Sequence, residues 1–308
     1  MKKYLAFDIG GTELKYGILD HSGHLLMKNS VSTDRRDRKS FINQMLDIAD
    51  SYQDDIRGIC ICAPGKIDIH QKVIHFGGTL PFLDGVNMQK EVGDKFGVPV
   101  GLENDAKAAT LAEMWLGELK STGNGAMLTL GSELGGGIIV HHQLLHGSHY
   151  QAGEVSFLPF KHQAKNWGDF TGQQCSAVNM IVKVNTALGI NDKYDGRAAF
   201  AAINAHDPKA WPLFVKFCRS LAYTILTIQA ILDGEKIVIA GGISAQPIVL
   251  KTINAAYDEL TTKIYRLQHE FTRPEIVRAR FGSEANLYGS LYALFLETSG
   301  QIEWTNNR

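Results

Sequence analysis

Net charge is nearly absent from this chain. Its 31 Lys and Arg stand against 32 Asp and Glu, a formal charge of −1, so no bulk attraction to nucleic acid or to an anionic membrane is expected. Cysteine is scarce, four in 308 residues. No spacing among the four resembles a zinc quartet, and their number predicts a reducing, cytoplasmic setting. Cys60 and Cys62 alternate on one face of an apolar strand, where a free cysteine packs as a small hydrophobe. No uninterrupted apolar run approaches the ~20 residues of a membrane span, and the chain runs into a strand from Tyr4, so neither a membrane segment nor a secretory leader is predicted. Low-complexity segments are missing too. What is left is a globular composition, 44% hydrophobic and 20% charged, at a length that predicts two lobes.

The stretch Tyr4 to Asp20 organises the rest. Residues 4–9 are β-prone and mostly apolar, Gly10-Gly11 supplies a turn that side chains would block, and alternating Leu14, Tyr16 and Ile18 read as the return strand. Asp8 stands at the strand end, where a carboxylate can face a ligand. The turn Gly10-Gly11-Thr12 offers backbone N–H groups and a hydroxyl, all suited to phosphate oxygens. A third strand over 24–32, a charged loop, a helix over 40–53 and a buried strand over 56–62 follow, the start of a mixed sheet with helices packed on it.

Further along, residues 72–87 read as a loop whose Gly77-Gly78 pair lets a ligand approach the backbone, and 88–96 as a short helix. A strand then runs into Glu103-Asn104-Asp105 and straight on into an Ala-rich helix. Asn104 or Asp105 suits an N-cap, and a carboxylate there can also take a proton from a hydroxyl. The strand 125–130, the turn Gly131-Ser132-Glu133 through Gly137 and a strand 138–142 repeat the first hairpin's pattern, an internal repeat suggesting two similar lobes. His141, His142, His146 and His149 crowd the next loop without ligand spacing, so a metal is not expected on them. Ala152-Gly153-Glu154 sets one carboxylate beside a glycine. Helices over 170–188 and 207–232, a strand 236–240 ending in Gly241-Gly242, a helix 248–268, a strand near 276–280 and a helix 284–297 complete the chain.

Together these motifs resemble the ROK family of sugar kinases (repressors, open reading frames, kinases), within the actin-like ATPases. The carriers are Asp8-Ile9-Gly10-Gly11-Thr12, Glu103-Asn104-Asp105-Ala106, Leu130-Gly131-Ser132 through Gly137, Gly153-Glu154 and Ala240-Gly241-Gly242, in the family's order over nearly the whole chain. The resemblance implies a two-lobed α/β fold of the ribonuclease H-like type, with a mixed sheet flanked by helices in each lobe. Residues 1–117 with 288–308 would form the smaller lobe and 118–287 the larger, with the site in the cleft between. It implies phosphoryl transfer from Mg-ATP to a sugar hydroxyl, usually the 6-hydroxyl of a hexose, with Asp105 as general base. Asp8 would orient Mg²⁺ through water. Gly10, Gly11, Thr12, Gly131 and Ser132 would hold phosphates, and Gly241 and Gly242 the nucleotide. Gly77, Gly78, Asn104, Asp105 and Glu154 would bind the sugar. A homodimer is also implied.

The chain departs from the family's pattern at three places. Phe157 stands where many members have a His, and Phe160 to Gly172 lacks the cysteines of a zinc loop, so no zinc is expected and Trp167 and Phe170 are candidates to supply packing instead. Gly168, with Asp169 beside it, falls where many members carry a sugar-binding Glu. Glu133 replaces a small residue in the second phosphate turn. This altered pocket resembles the Gram-positive β-glucoside kinases and glucokinases, with Gly168 and Phe157 making room and stacking surface for a second ring. The alternatives are an N-acetylmannosamine or N-acetylglucosamine kinase, or a catalytically silent sugar-binding regulator. A repressor would need a winged helix before Asp8, and none is read here.

Overall fold

A computed structural model describes residues 2–53 and 56–299; of the segment 288–308 expected in the smaller lobe, 300–308 lie outside the described residues. The chain divides into two compact units, one drawing on residues up to Leu116, on His146–Gln151 and on the chain from Glu284 onward, the other on Gly117–Leu145 and Ala152–Ser283.

The first unit opens with β1 (Lys3–Ile9), β2 (Glu13–Asp20), β3 (Leu25–Ser32), α1 (Arg38–Asp50) and β4 (Ile56–Ala63). Next comes a small antiparallel sheet of β5 (Lys66–Asp68), β6 (Val73–His75) and β7 (Val86–Asn87). Its strands have two or three residues each, too short for an alternating pattern, so the span read as loop is a strand pair with a connecting turn. A π-helical turn (Gln89–Gly93) leads through α2 (Asp94–Phe96) to β8 (Val100–Asn104) and α3 (Asp105–Leu116). The main sheet has the order β3-β2-β1-β4-β8, with β1 antiparallel to β2 and parallel to β4. Strand alternation sends Leu5, Phe7 and Ile9 into one core with Phe41 and Met45 of α1. It sends Tyr4, Ala6 and Cys60 into another with Leu287, Leu291 and Leu294. Asp8 continues this second face.

The second unit carries β9 (Gly125–Leu130), β10 (Leu134–Val140), β11 (Gln143–Leu144), α4 (Thr171–Gln174), α5 (Ala177–Leu188), α6 (Gly196–Asn204), α7 (Ala210–Leu232), β12 (Lys236–Ala240), α8 (Pro247–Thr262), α9 (Tyr265–Glu270) and β13 (Glu275–Arg278). Its sheet, β11-β10-β9-β12-β13, repeats the first: an antiparallel hairpin whose first strand is flanked by a parallel strand. β10 begins at Leu134 rather than at 138, because the glycine run is strand and not turn. A Cβ on Gly136 would lie 2.8 Å from the Gly153 carbonyl oxygen, so the glycines there admit a close backbone neighbour. The helix expected over 170–188 breaks at Ser176, whose hydroxyl caps α5 by accepting from the Asn179 N–H. The helix expected over 248–268 likewise breaks between α8 and α9. α6, unread in the sequence, is a nine-residue helix capped by Asp195. The final helix, α10 (Ala285–Thr298), belongs to the first unit.

α7 is long and apolar enough by length and composition to cross a bilayer, although Lys216 and Arg219 interrupt its apolar run. Phe214, Phe217, Leu221, Ile225 and Ile228 bury one face of it in the second unit's core. The four cysteines are all free and buried.

Candidate active site

In the first unit the candidate residues are placed by strand register. Lys15 pairs with Asp8 across β1–β2, Asp8 with Cys62 across β1–β4, and Cys62 with Glu103 across β4–β8. Partners in register share a face, so these four side chains form one row across the sheet, next to the turns that end the strands. Asp8 is 8% exposed. Its Oδ1 accepts from the Asn286 side-chain amide at 2.9 Å and from the Cys62 thiol at 3.5 Å, and Lys15 Nζ lies 3.5 Å from Oδ2. Burial pushes the Cys62 thiol well up, and the charges of Asp8, Asp105 and Glu103 push it further.

Beside Asp8, the Gly10–Thr12 turn closes through Gly10 N–H to the Glu13 carbonyl at 3.1 Å. Thr33 braces it, its hydroxyl donating to the Gly10 carbonyl at 2.7 Å and its N–H to the Thr12 carbonyl at 3.0 Å. A Cβ on Gly11 would stand 2.3 Å from the Thr79 hydroxyl, so any other residue there would have to turn the Thr79 side chain aside. Gly77 and Gly78 both take left-handed φ, 51° and 57°, in the turn just before Thr79. They give that turn a shape other residues rarely adopt.

At the end of β8, Asn104 is the helix cap. Its Oδ1 accepts from the Ala106 N–H at 3.0 Å and the Lys107 N–H at 3.2 Å, and its Nδ2 donates to the Gly65 carbonyl at 3.0 Å. Asp105 then occupies the first helical position with its side chain exposed while its neighbours are buried, where the helix N-terminus favours a negative charge. Glu103, 2% exposed, accepts from the Asn104 N–H at 2.9 Å and from His146 Nε2 at 2.7 Å. Burial works to raise the Glu103 pKa, but the His146 charge and hydrogen bond, the Asn104 N–H and Lys107 outweigh it and hold the carboxyl below its ordinary value. The buried Lys107 donates to the Tyr150 carbonyl at 3.1 Å. The segment 146–151 is thus tied to the base of Asn104-Asp105 at both ends. Nothing in the sequence marked His146 for this role; the crowd of histidines around it hid the one with a partner.

In the second unit, Gly131 N–H donates to the Glu133 carbonyl at 3.2 Å, and the Gly131 carbonyl accepts from the Ala177 N–H at 3.0 Å, which sets the start of α5 against the turn. Glu133 reaches sideways: one carboxylate oxygen accepts from Trp167 Nε1 at 2.6 Å and from Gln173 Nε2 at 2.9 Å. Trp167 stacks on Phe170 with ring centroids 5.2 Å apart and lies 5.3 Å from Phe157. Phe157 is 57% exposed and Trp167 36%. Asp169 is bound by Lys161 and by the Lys165 N–H, so it closes its own loop. The Gly168 carbonyl accepts from Gln174. Glu154 precedes a single helical turn, Val155–Phe157, beside Gly153 at φ 81°. Gly241 ends β12 at φ 97°, with the Leu130 carbonyl 2.2 Å from where a Cβ would be, while Gly242 has open space around it. Gly242, Ile243 and Gln246 line a cavity of about 400 Å³ opposite Tyr194, Arg197 and Phe200. Of the two glycines expected at the nucleotide, Gly242 lines this cavity and Gly241 does not; the far wall, Tyr194 with Arg197 and Phe200 of the unread helix α6, left no sign in the sequence.

Among the described residues no group of three or more His, Cys, Asp or Glu is gathered to hold a metal. One anchored carboxylate, Asp8, fits an ion that keeps most of its water and takes its other ligands from a substrate's phosphates.

The match to known proteins extends over the same ground. The ROK family model matches residues 4–297, and the chain belongs to that family. It is 29% identical over 297 residues to a β-glucoside kinase of Klebsiella pneumoniae, covering 94% of this chain and 95% of that protein. It is 27% identical over 316 residues to a glucokinase of Halalkalibacterium halodurans, 93% of each. The crystal structure of a ROK family protein from Streptococcus pneumoniae in complex with sucrose superposes with a TM-score of 0.86 at 27% identity, covering 97% of this chain and 99% of that one. The mixed-sheet architecture is that of the ROK sugar kinases in the actin-like class.

Proposed function

We propose that this ROK-family kinase transfers the γ-phosphoryl group of ATP to the 6-hydroxyl of a hexose or hexoside, with a β-glucoside or glucose-type acceptor favoured and Asp105 as general base. The observation that carries the reading is Asp105 itself, an exposed carboxylate on the first turn of α3, capped by Asn104 and adjoining the row that holds Asp8.

In the reaction the sugar oxygen forms a bond to the γ-phosphorus as the bond to the β–γ bridging oxygen breaks, and ADP leaves with that electron pair. Asp105 takes the hydroxyl proton as the new bond forms, a contribution of roughly 10²–10⁴ in rate. The N–H groups of Gly11, Thr12 and Ser132 and the hydroxyls of Thr12 and Ser132 receive phosphate oxygens, while Gly10 and Gly131 shape the two turns through their bonds to the Glu13 and Glu133 carbonyls, since such transfer is mostly positioning and charge neutralisation. Asp8 would hold Mg²⁺, which would supply charge neutralisation on the phosphates. Gly242 and the cavity wall of Tyr194 and Arg197 take the nucleoside. Asn104 Nδ2, which has a second proton beyond its bond to Gly65, binds a sugar hydroxyl together with Glu154 and the Gly77-Gly78 backbone. The exposed Phe157 and Trp167 rings offer an apolar face to the C–H side of a second ring, and the relatives named for β-glucosides support that choice.

The test is coupled ADP release with Mg-ATP against glucose, cellobiose, gentiobiose, N-acetylmannosamine and N-acetylglucosamine, beside Asp105→Asn. Turnover on cellobiose or gentiobiose, lost by roughly a thousandfold in the variant, supports the proposal. Turnover on an N-acetylhexosamine alone would replace the acceptor. Turnover on no sugar, with sugar binding retained in a thermal-shift assay, would replace the kinase with a sugar-binding regulator.

A further inference from the structure

The carboxylate of Glu133 sits one residue beyond Gly131-Ser132, where a negative charge opposes a triphosphate. The structure gives it another task. Both donors that reach it converge on a single oxygen, the Trp167 indole N–H at 2.6 Å and the Gln173 amide at 2.9 Å. Gln173 is held in turn, its own carbonyl oxygen accepting from the Asn179 side chain at 2.8 Å. Gln174 ties the Gly168 carbonyl at 2.6 Å, and Asn166 caps the Trp167–Asp169 turn by accepting from the Gly168 N–H at 2.9 Å. The loop carrying Trp167 is therefore fastened from three sides, and one of its fastenings is the nucleotide turn.

We propose that Glu133 is a positioning residue that clasps the Trp167 loop to the β9–β10 phosphate turn, fixing Gly131-Ser132 and the Phe157–Trp167 aromatic face as one piece. The proposal rests on the reading of Gly131-Ser132 as a phosphate turn. What matters in it is the position of one acceptor oxygen, not its charge, so glutamine at 133 preserves the clasp and alanine removes it. Both donors converge on that one oxygen, so its removal breaks two hydrogen bonds together and releases both the turn and the loop.

The experiment is calorimetric binding of Mg-AMPPNP without sugar to the wild-type chain and to Glu133→Ala, Glu133→Gln, Trp167→Phe and the double variant Glu133→Ala/Trp167→Phe, each checked by thermal melting. The clasp requires Glu133→Ala to weaken AMPPNP roughly tenfold, Glu133→Gln to restore affinity to within about twofold, and the two single losses to fall short of adding in the double variant. Tighter or equal binding by Glu133→Ala overturns it, because the carboxylate is then a repulsive or idle group. Glu133→Gln as weak as the alanine variant also overturns it, by showing that charge and not geometry is used. Should Glu133→Ala fail to fold, the Glu133→Gln and Trp167→Phe affinities decide alone: a threefold or larger loss in the latter with none in the former sustains the clasp, and any other pattern overturns it. Absence of AMPPNP binding to the wild type brings down the clasp and the nucleotide reading together. The expected binding pattern with no sugar turned over leaves the clasp standing and removes only the proposed reaction.

Discussion

The two sheets share one topology and differ in one row of side chains. In the first, the strand position two residues before the turn is Asp8, and its register neighbours are Lys15 and Cys62, with Glu103 beyond. In the second, the matching position is Thr129, flanked by Gly135 and Ala240. Where the first unit gathers charge, the second clears side chains away. A duplicated framework thus offers two kinds of surface at the matching position of each sheet: one carrying carboxylates, which the proposed reaction uses to move a proton and orient an ion, the other bare backbone, which it uses against phosphates and a nucleoside. The single carboxylate added to the second turn, Glu133, is taken up by Trp167 and Gln173.

The sharpest way to break this contrast is to make the first row resemble the second. Asp8→Thr should lower kcat by about a thousandfold, or about 4 kcal/mol of transition-state stabilisation. Single-turnover kinetics at saturating Mg-ATP will measure it, and a loss under tenfold would show that the charge at this position is not what separates the units.

The next effect is on stability. His146→Ala leaves Glu103 buried with one partner fewer, and breaking a buried pair by removing one member costs about 3 kcal/mol or more, read as a fall in the denaturant midpoint. The pair also sets a pH dependence. The Glu103 carboxyl is held below its ordinary value in the folded chain, so its contribution is fully present above the unfolded value of about 4.3 and disappears as pH falls through the lower folded value. Glu103→Gln should therefore show a shallower loss of melting temperature than wild type on acidification below about pH 4.3. Parallel curves would mean that another carboxylate carries that limb.

The glycines sharpen the comparison further. Gly241→Ala must place a side chain at φ 97° against the Leu130 carbonyl, at a cost of about 2 kcal/mol. In Gly131→Ala the new Cβ meets the Glu133 carbonyl at an ordinary 3.5 Å, and melting should move by less than about 0.5 kcal/mol. Gly11→Ala meets only the Thr79 side-chain hydroxyl, at 2.3 Å, which can turn aside, so its cost should fall between the other two. If all three melt alike, enclosure is not what fixes glycine in these turns.

These turns were also the part of the site most legible in the sequence. Asp8, Gly10 to Thr12, Asn104-Asp105, Gly131-Ser132 and Gly241-Gly242 are local: a strand end, a tight turn and a cap leave their signs within a few residues. The ROK resemblance assembled them over nearly the whole chain. What the sequence concealed is what joins distant positions. Glu103 meets His146 across 43 residues, Glu133 meets Trp167 across 34, and Asp8 meets Asn286 across 278. Periodicity is silent about such pairs because each partner looks like an ordinary polar residue in its own neighbourhood. The short strands of the 66–87 sheet escaped for a different reason, being shorter than the pattern used to find strands. Asp169 adjoins the position where many family members carry a sugar-binding Glu, and its carboxylate is spent on Lys161 and the Lys165 N–H, contacts that sequence alone does not show.

The smallest predicted effects set Asn286 against Thr129. Asn286, near the start of α10, makes the shortest bond to Asp8, 2.9 Å, while Lys15 and Cys62 stand at 3.5 Å. Asn286→Ala should cost about 1 kcal/mol of stability and raise KM for Mg-ATP about threefold by letting the Asp8 carboxylate turn. In the second sheet the matching side chain has no such support: the Thr129 hydroxyl oxygen is buried without a hydrogen-bond partner. Replacing that hydroxyl by a methyl group in Thr129→Val removes an unpaired polar atom at constant shape, which is neutral or mildly stabilising. The pair of melting curves should therefore move in different directions, Asn286→Ala downward and Thr129→Val level or slightly upward. A drop in Thr129→Val as large as in Asn286→Ala would mean that the second row is held by a polar network like the first, and that the division into a charged face and a bare one is wrong.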